Sequence, residues 1–124
     1  MLSVRLIVNA IVDQSLDATL IAIADPNRRR VIELLRHEPR RATAIADHIG
    51  MTPAATSRHL RVLRSSGLVE VETPDEDARV RVYRLVPDHL TALQAWLDQV
   101  QAHWSEQLGA FKEHAERTRP KVAR

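Results

Sequence analysis

Apolar residues recur at helical spacing over most of this chain and switch to strict alternation in one short stretch. Met1 to Gln14 is apolar but weakly periodic and predicts a short helix. Ser15 or Asp17 is placed to cap a second helix through Ala24, with Leu16, Leu20 and Ile23 on one face. Asp25-Pro26 reads as an N-cap followed by proline at the first helical position. The helix it opens runs to about His37, carries Val31, Ile32, Leu34 and Leu35 on its apolar side, and is stopped by Glu38-Pro39. A short helix follows, capped by Thr43, carrying Ile45, Ala46 and Ile49, and closed by Gly50 in a left-handed C-cap. Thr52-Pro53 repeats the cap-plus-proline signal, and its helix runs to Ser66 and ends at Gly67.

Two helices separated only by Gly50-Met51-Thr52 have the spacing of a helix-turn-helix. Beyond Gly67 the period becomes two. Leu68 to Glu72 alternates, Thr73 to Asp77 forms a turn, and Arg79 to Tyr83 alternates again, which predicts a β-hairpin. Pro87-Asp88 then opens a long helix through roughly Glu116, and the tail Arg117 to Arg124 is expected to fray. The fold class is therefore mainly α with one small hairpin, in a single domain over 1–124 with its core at 16–87.

Placed on a wheel, the helix from Pro53 to Ser66 turns Thr56, Leu60 and Leu63 to the core and Ala54, Arg58, Arg61 and Ser65 the opposite way. Small residues permit close approach to a major groove, and arginine reaches guanine edges or phosphates. Ser57 lies beside this face, and His59 flanks its other side, placed to meet backbone or the hairpin. In the last helix Leu90, Leu93, Leu97, Val100, Trp104, Leu108 and Phe111 recur three or four apart, with Trp96 beside them. That seam is longer than one small domain needs and predicts self-association, with Leu6, Ile7, Ile11 and Val12 as a second component.

The 124 residues include no cysteine, which excludes disulfides, thiolate metal sites and a cysteine nucleophile. Net charge is only +2, but its distribution is uneven: Arg28 to Arg84 holds 12 arginines against 8 acids, whereas Leu85 to Glu116 holds one lysine against 5 acids. A basic block suits an anionic polymer. No apolar run approaches a membrane span and no leader pattern opens the chain, so a soluble cytoplasmic protein is expected. Enzyme chemistry reads poorly: there is no glycine-rich phosphate loop, and Ser57 and His59 point away from each other on one helix, so no triad with Asp47 forms.

Asp17-Ala18, Ala24 to Arg29 and Ile32 to Leu35, then Ser57 to Leu63 and Gly67-Leu68-Val69, resemble the ArsR family of bacterial repressors over about Leu16 to Pro87. Trp96-Leu97 and Trp104 extend the resemblance to a branch without evident metal ligands. The resemblance implies a winged helix-turn-helix, a homodimer built on its terminal helices (1–14 and 88–116), and repression at its own or a neighbouring promoter. It places Thr52, Pro53, Ala54, Ala55, Ser57, Arg58 and His59 on double-stranded operator DNA. Arg61, Arg40, Arg41, Arg79 and Arg81 are further candidates, chiefly for phosphates.

Two departures stand out. Thr56 occupies an aliphatic core position of the family, and the wing tip Asp75-Glu76-Asp77 is acidic, so it is expected to stay off DNA. Zinc sensors of the family pair two helix histidines with further ligands, as His103 and His114 could, but the flanking positions here are Gln101 and Arg117. No metal and no cofactor are expected, and no effector is indicated. The alternative is a winged-helix protein-interaction module, or a DNA binder controlled by a protein partner; loss of Arg58 and Arg61 discriminates between these readings.

Overall fold

The computed structural model describes residues 15–73 and 79–119. The chain divides into two units, Met1–Ala92 and Leu93–Arg124. The first contains α1 (15–24), α2 (Pro26–Leu35), β1 (Arg40–Arg41), α3 (Ala42–Ile49), α4 (Pro53–Ser65), β2 (Val69–Glu72) and β3 (Val82–Leu85). α5 (Asp88–Thr118) begins in the first unit and supplies the described part of the second.

Local chemistry sets most helix ends. Asp25 is extended and its Oδ1 accepts from the backbone N–H groups of Asn27 (2.8 Å) and Arg28 (3.1 Å), so α2 starts at Pro26. Thr52 Oγ1 accepts from Ala55 N at 3.2 Å and sets the start of α4 at Pro53. Gly50 closes α3 at φ 69°, with its N–H donating to Ala46 O at 2.9 Å. Gly67 (φ 77°) is doubly constrained, since a Cβ there would stand 2.6 Å from His89 Nε2.

The core of the first unit gathers Val31, Leu34 and Leu35 from α2, Ile45 and Ile49 from α3, and Leu60 and Leu63 from α4. Val69 and Tyr83 close it from the sheet, Leu68 from the position just before β2, and Ala22 enters from α1. Burying each large aliphatic side chain contributes about 1.5–3 kcal/mol, so this shared core fixes the angle at which α3 and α4 meet.

Four expectations need correction. α1 is already helical at residue 15, so neither Ser15 nor Asp17 caps it. Its buried positions are Thr19 and Ala22, whereas Leu20 is exposed and Leu16 and Ile23 are half-buried. Small residues let α1 approach the core closely, and the Thr19 hydroxyl is satisfied by donating to Ser15 O at 2.8 Å. α3 starts at Ala42 without a side-chain cap, because the preceding Arg40 and Arg41 are strand residues paired with Tyr83 and Val82. The hairpin's second strand is Val82–Leu85, not Arg79 to Tyr83: Val69 pairs with Leu85 and Glu72 with Val82. Alternation alone permits a slip of two residues; pairing on both edges, in the order β1-β3-β2, and burial of Tyr83 remove that freedom.

The helix expected over Met1 to Gln14 lies outside the described residues, as do Leu6, Ile7, Ile11, Val12 and the wing tip Asp75-Glu76-Asp77. The start of the expected frayed tail is still helical, with Thr118 Oγ1 donating to His114 O at 2.9 Å. In the second unit Leu93 is buried, while Leu97, Val100, Trp104, Leu108 and Phe111 are exposed, the last two by 48% and 71%. Trp96 is exposed as well.

Candidate nucleic-acid interface

α4 presents the two faces that its spacing predicts. Thr56, Leu60 and Leu63 are buried, and Thr56 directs its hydroxyl back to Thr52 O at 2.9 Å, which makes this polar residue acceptable in the core. Thr52, Pro53, Ala54, Ser57, Arg58 and Arg61 are exposed. Arg64 and Ser65 continue the exposed face, with Ser65 Oγ donating to Arg61 O at 2.8 Å. Ala55 and His59 are half-buried. His59 turns its ring to α2, with Nδ1 3.4 Å from Arg28 Nη1.

A second cluster lies where α3 begins beside the wing. Arg41, Ala42, Thr43, Arg79, Val80, Arg81 and Tyr83 line a cleft of about 350 Å³. Arg41, Arg79 and Arg81 are exposed, and three arginines lining one cleft suit an anion such as a phosphate. Arg40, a phosphate candidate by sequence, is instead engaged with Glu38 at 2.7 Å. Arg84 is also neutralised, bonded to Glu70 and to Glu72 (2.9 Å), and the Glu70 hydrogen bond and the two carboxylate charges raise its pKa above the ordinary value.

The arginines at the start of α2 behave differently. Arg28 Nε donates to Ala22 O at 2.7 Å and Nη2 to Ile21 O at 3.1 Å. Arg29 Nη1 donates to Ile23 O at 2.7 Å and Ala24 O at 3.1 Å. Arg30 Nη1 donates to Ile49 O at 3.0 Å and Nη2 to His48 O at 3.4 Å. Three consecutive arginines thus satisfy the terminal carbonyls of α1 and α3, the negative ends of those helices. The signal was present in sequence, since arginines directly after a helix junction are within reach of the carbonyls just completed. Asp25 sits in the same junction: partial burial raises its pKa, but the backbone N–H bonds from Arg28 and Asn27, together with the charge of His59 when its ring is protonated and that of Arg28, outweigh this and hold it below the ordinary carboxylate value.

Among the described residues, Arg41, Arg58, Arg61, Arg64 and Arg81 make no ion pair, and no group of three or more His, Cys, Asp or Glu is gathered to hold a metal. No helix among them is long and apolar enough to cross a membrane. Two helices joined by a three-residue turn, with a hairpin behind the second, make a winged helix-turn-helix.

The model of the arsR family of bacterial regulatory proteins matches residues 25–71. The HTH-type transcriptional regulator Rv2034 of Mycobacterium tuberculosis is 34% identical over 99 residues, which are 79% of this chain and 86% of that protein. The HTH-type transcriptional regulator NmtR of the same organism is 41% identical over 76 residues; the match spans 61% of this chain and 61% of NmtR. The solution structure of Mb0332 from Mycobacterium bovis, described as a homodimeric winged helix-turn-helix DNA-binding domain, superposes with a TM-score of 0.61 at 27% identity, covering 98% of this chain and 97% of that one. The chain belongs to the ArsR family, a family of transcriptional regulators and not of enzymes.

Proposed function

We propose that this protein is a cytoplasmic, homodimeric, sequence-specific DNA-binding repressor acting at its own or a neighbouring promoter. One observation carries the reading: α4 keeps Ser57, Arg58 and Arg61 exposed, with both arginines out of ion pairs among the described residues, while the arginines of α2 are spent on helix ends. In this reading Thr52, Pro53, Ala54, Ala55, Ser57, Arg58 and Arg61 face the major groove, and the cleft of Arg41, Arg79 and Arg81 seats a backbone phosphate. Residues 16–87 form the DNA-binding core. Dimerisation through 1–14 and 88–116 brings two recognition helices to successive major grooves, about 34 Å apart along the duplex. The exposed seam Leu97, Val100, Trp104, Leu108 and Phe111 supports that assignment, because a soluble helix seldom leaves so much contiguous apolar surface uncovered.

A fluorescence-anisotropy titration with labelled DNA from upstream of its own gene tests the reading, with scrambled DNA as competitor and at two salt concentrations. The expected result is saturable binding that resists the competitor and weakens steeply with salt. Binding no tighter than to scrambled DNA would count against action at its own promoter. Unchanged binding after Arg58→Ala and Arg61→Ala would favour a protein-interaction module.

A further inference from the structure

We propose that His59 is a positioning residue for the recognition helix, held by Arg28, and makes no contact with DNA of its own. The functional consequence rests on the DNA-binding reading of α4; the contact itself does not. A guanidinium only donates hydrogen bonds, so the ring nitrogen facing it must accept. Arg28 Nη1 lies 3.4 Å from His59 Nδ1, so the contact requires the tautomer of the neutral ring in which Nδ1 accepts and the ring proton sits on Nε2.

Arg28 is itself fixed from the other side. Its Nε and Nη2 are bound to Ala22 O and Ile21 O at the end of α1, and Asp25 Oδ2 stands 4.0 Å from Nη1. Only 15% of the Arg28 side chain is exposed, so this hub is screened from solvent competition. The middle of α4 is thereby tied, through one side chain, to the end of α1. His59 adjoins Arg58 in sequence, so a tilt of α4 on losing the tie displaces the side chain that faces the groove. Binding groups need support of this kind because misplacement by a fraction of an ångström already weakens them.

Replacement by the two carboxamides separates the roles. Asn places its acceptor oxygen where Nδ1 stands and so retains Arg28, whereas Gln reaches outward to where Nε2 stands. Binding of the labelled upstream and scrambled duplexes is measured for His59→Asn, His59→Gln, His59→Ala, Arg28→Ala and the double variant His59→Ala with Arg28→Ala, alongside thermal unfolding of each. His59→Asn is expected to bind like wild type. His59→Ala and Arg28→Ala are each expected to weaken specific binding roughly five- to tenfold, and the double variant no more than the worse single one, because the two residues act as one contact.

If Arg28→Ala fails to fold, Arg28→Lys takes its place in the cycle. Wild-type affinity for Gln with loss for Asn would overturn the proposal, as would additive losses. If wild type binds neither duplex, the DNA reading fails separately. Nitrogen-15 NMR of the DNA-free protein then decides the contact: a proton on Nε2 with a ring signal that shifts in Arg28→Lys supports it, and a proton on Nδ1 overturns it.

Discussion

The start of α2 and the outer face of α4 are both arginine-rich, yet they do opposite work. Arg28, Arg29 and Arg30 turn back onto the finished ends of α1 and α3, where backbone carbonyls carry partial negative charge. Arg58 and Arg61 point away from the core, and the last turn of their own helix is occupied by Arg64 and a serine that bonds within the helix. The difference lies in what each arginine finds within reach. One region follows a helix junction and meets unsatisfied carbonyls; the other is an exposed helix flank and meets solvent. A count of positive charge along the chain therefore overstates the surface available to an anionic partner.

Unfolding measurements should separate the two regions. The largest effect is expected for Arg28→Ala, which leaves the Ile21 and Ala22 carbonyls without their charged donor; urea unfolding should show a loss of about 2–3 kcal/mol. Arg58→Ala should leave urea unfolding within about 0.5 kcal/mol of wild type. In the anisotropy titration it should cost about 1–3 kcal/mol of specific DNA binding if the side chain meets a base edge bidentately. An Arg58 variant that unfolds early, or an Arg28 variant of native stability, would break the comparison.

Asp25→Ala should remove the N-cap of α2 and cost about 1 kcal/mol at neutral pH. Because the folded protein holds this carboxyl below its ordinary value of 3.8, its contribution is fully present above that value and is lost as pH falls through the lower, folded one. The gap between wild type and variant, followed by unfolding from pH 7 to acid, should close below about pH 3.8. The smallest effect is expected from Arg41→Ala and Arg81→Ala: each should weaken binding to upstream and scrambled DNA alike and lower the salt slope by about one. A sequence-dependent loss would move these two side chains from phosphate to base.

The helix boundaries with a chemical stop signal were legible in advance. Asp25-Pro26, Gly50, Thr52-Pro53 and Gly67 fix their local backbone through a capping oxygen, a ring or a missing Cβ, and each sits where its chemistry predicts. The two faces of α4 were equally readable, since helical period alone sends Thr56, Leu60 and Leu63 one way and Arg58 and Arg61 the other. Less legible were β1, the register of β3 and the buried line of α1. A two-residue strand has no pattern of its own, and Arg40 and Arg41 become extended only because Tyr83 and Val82 lie beside them.

Sequence by itself thus determined helices α1 to α5 and the hairpin, their order, the ArsR resemblance and the outward face of α4, because caps, periodicity and turn residues act over a few positions. Tertiary structure alone decided which arginines stay on the surface, where the wing strand pairs, and that His59 turns to Arg28. Those outcomes depend on groups distant in the chain, 31 positions apart for His59 and Arg28, and no local preference encodes which unsatisfied carbonyl or ring nitrogen a long side chain will find.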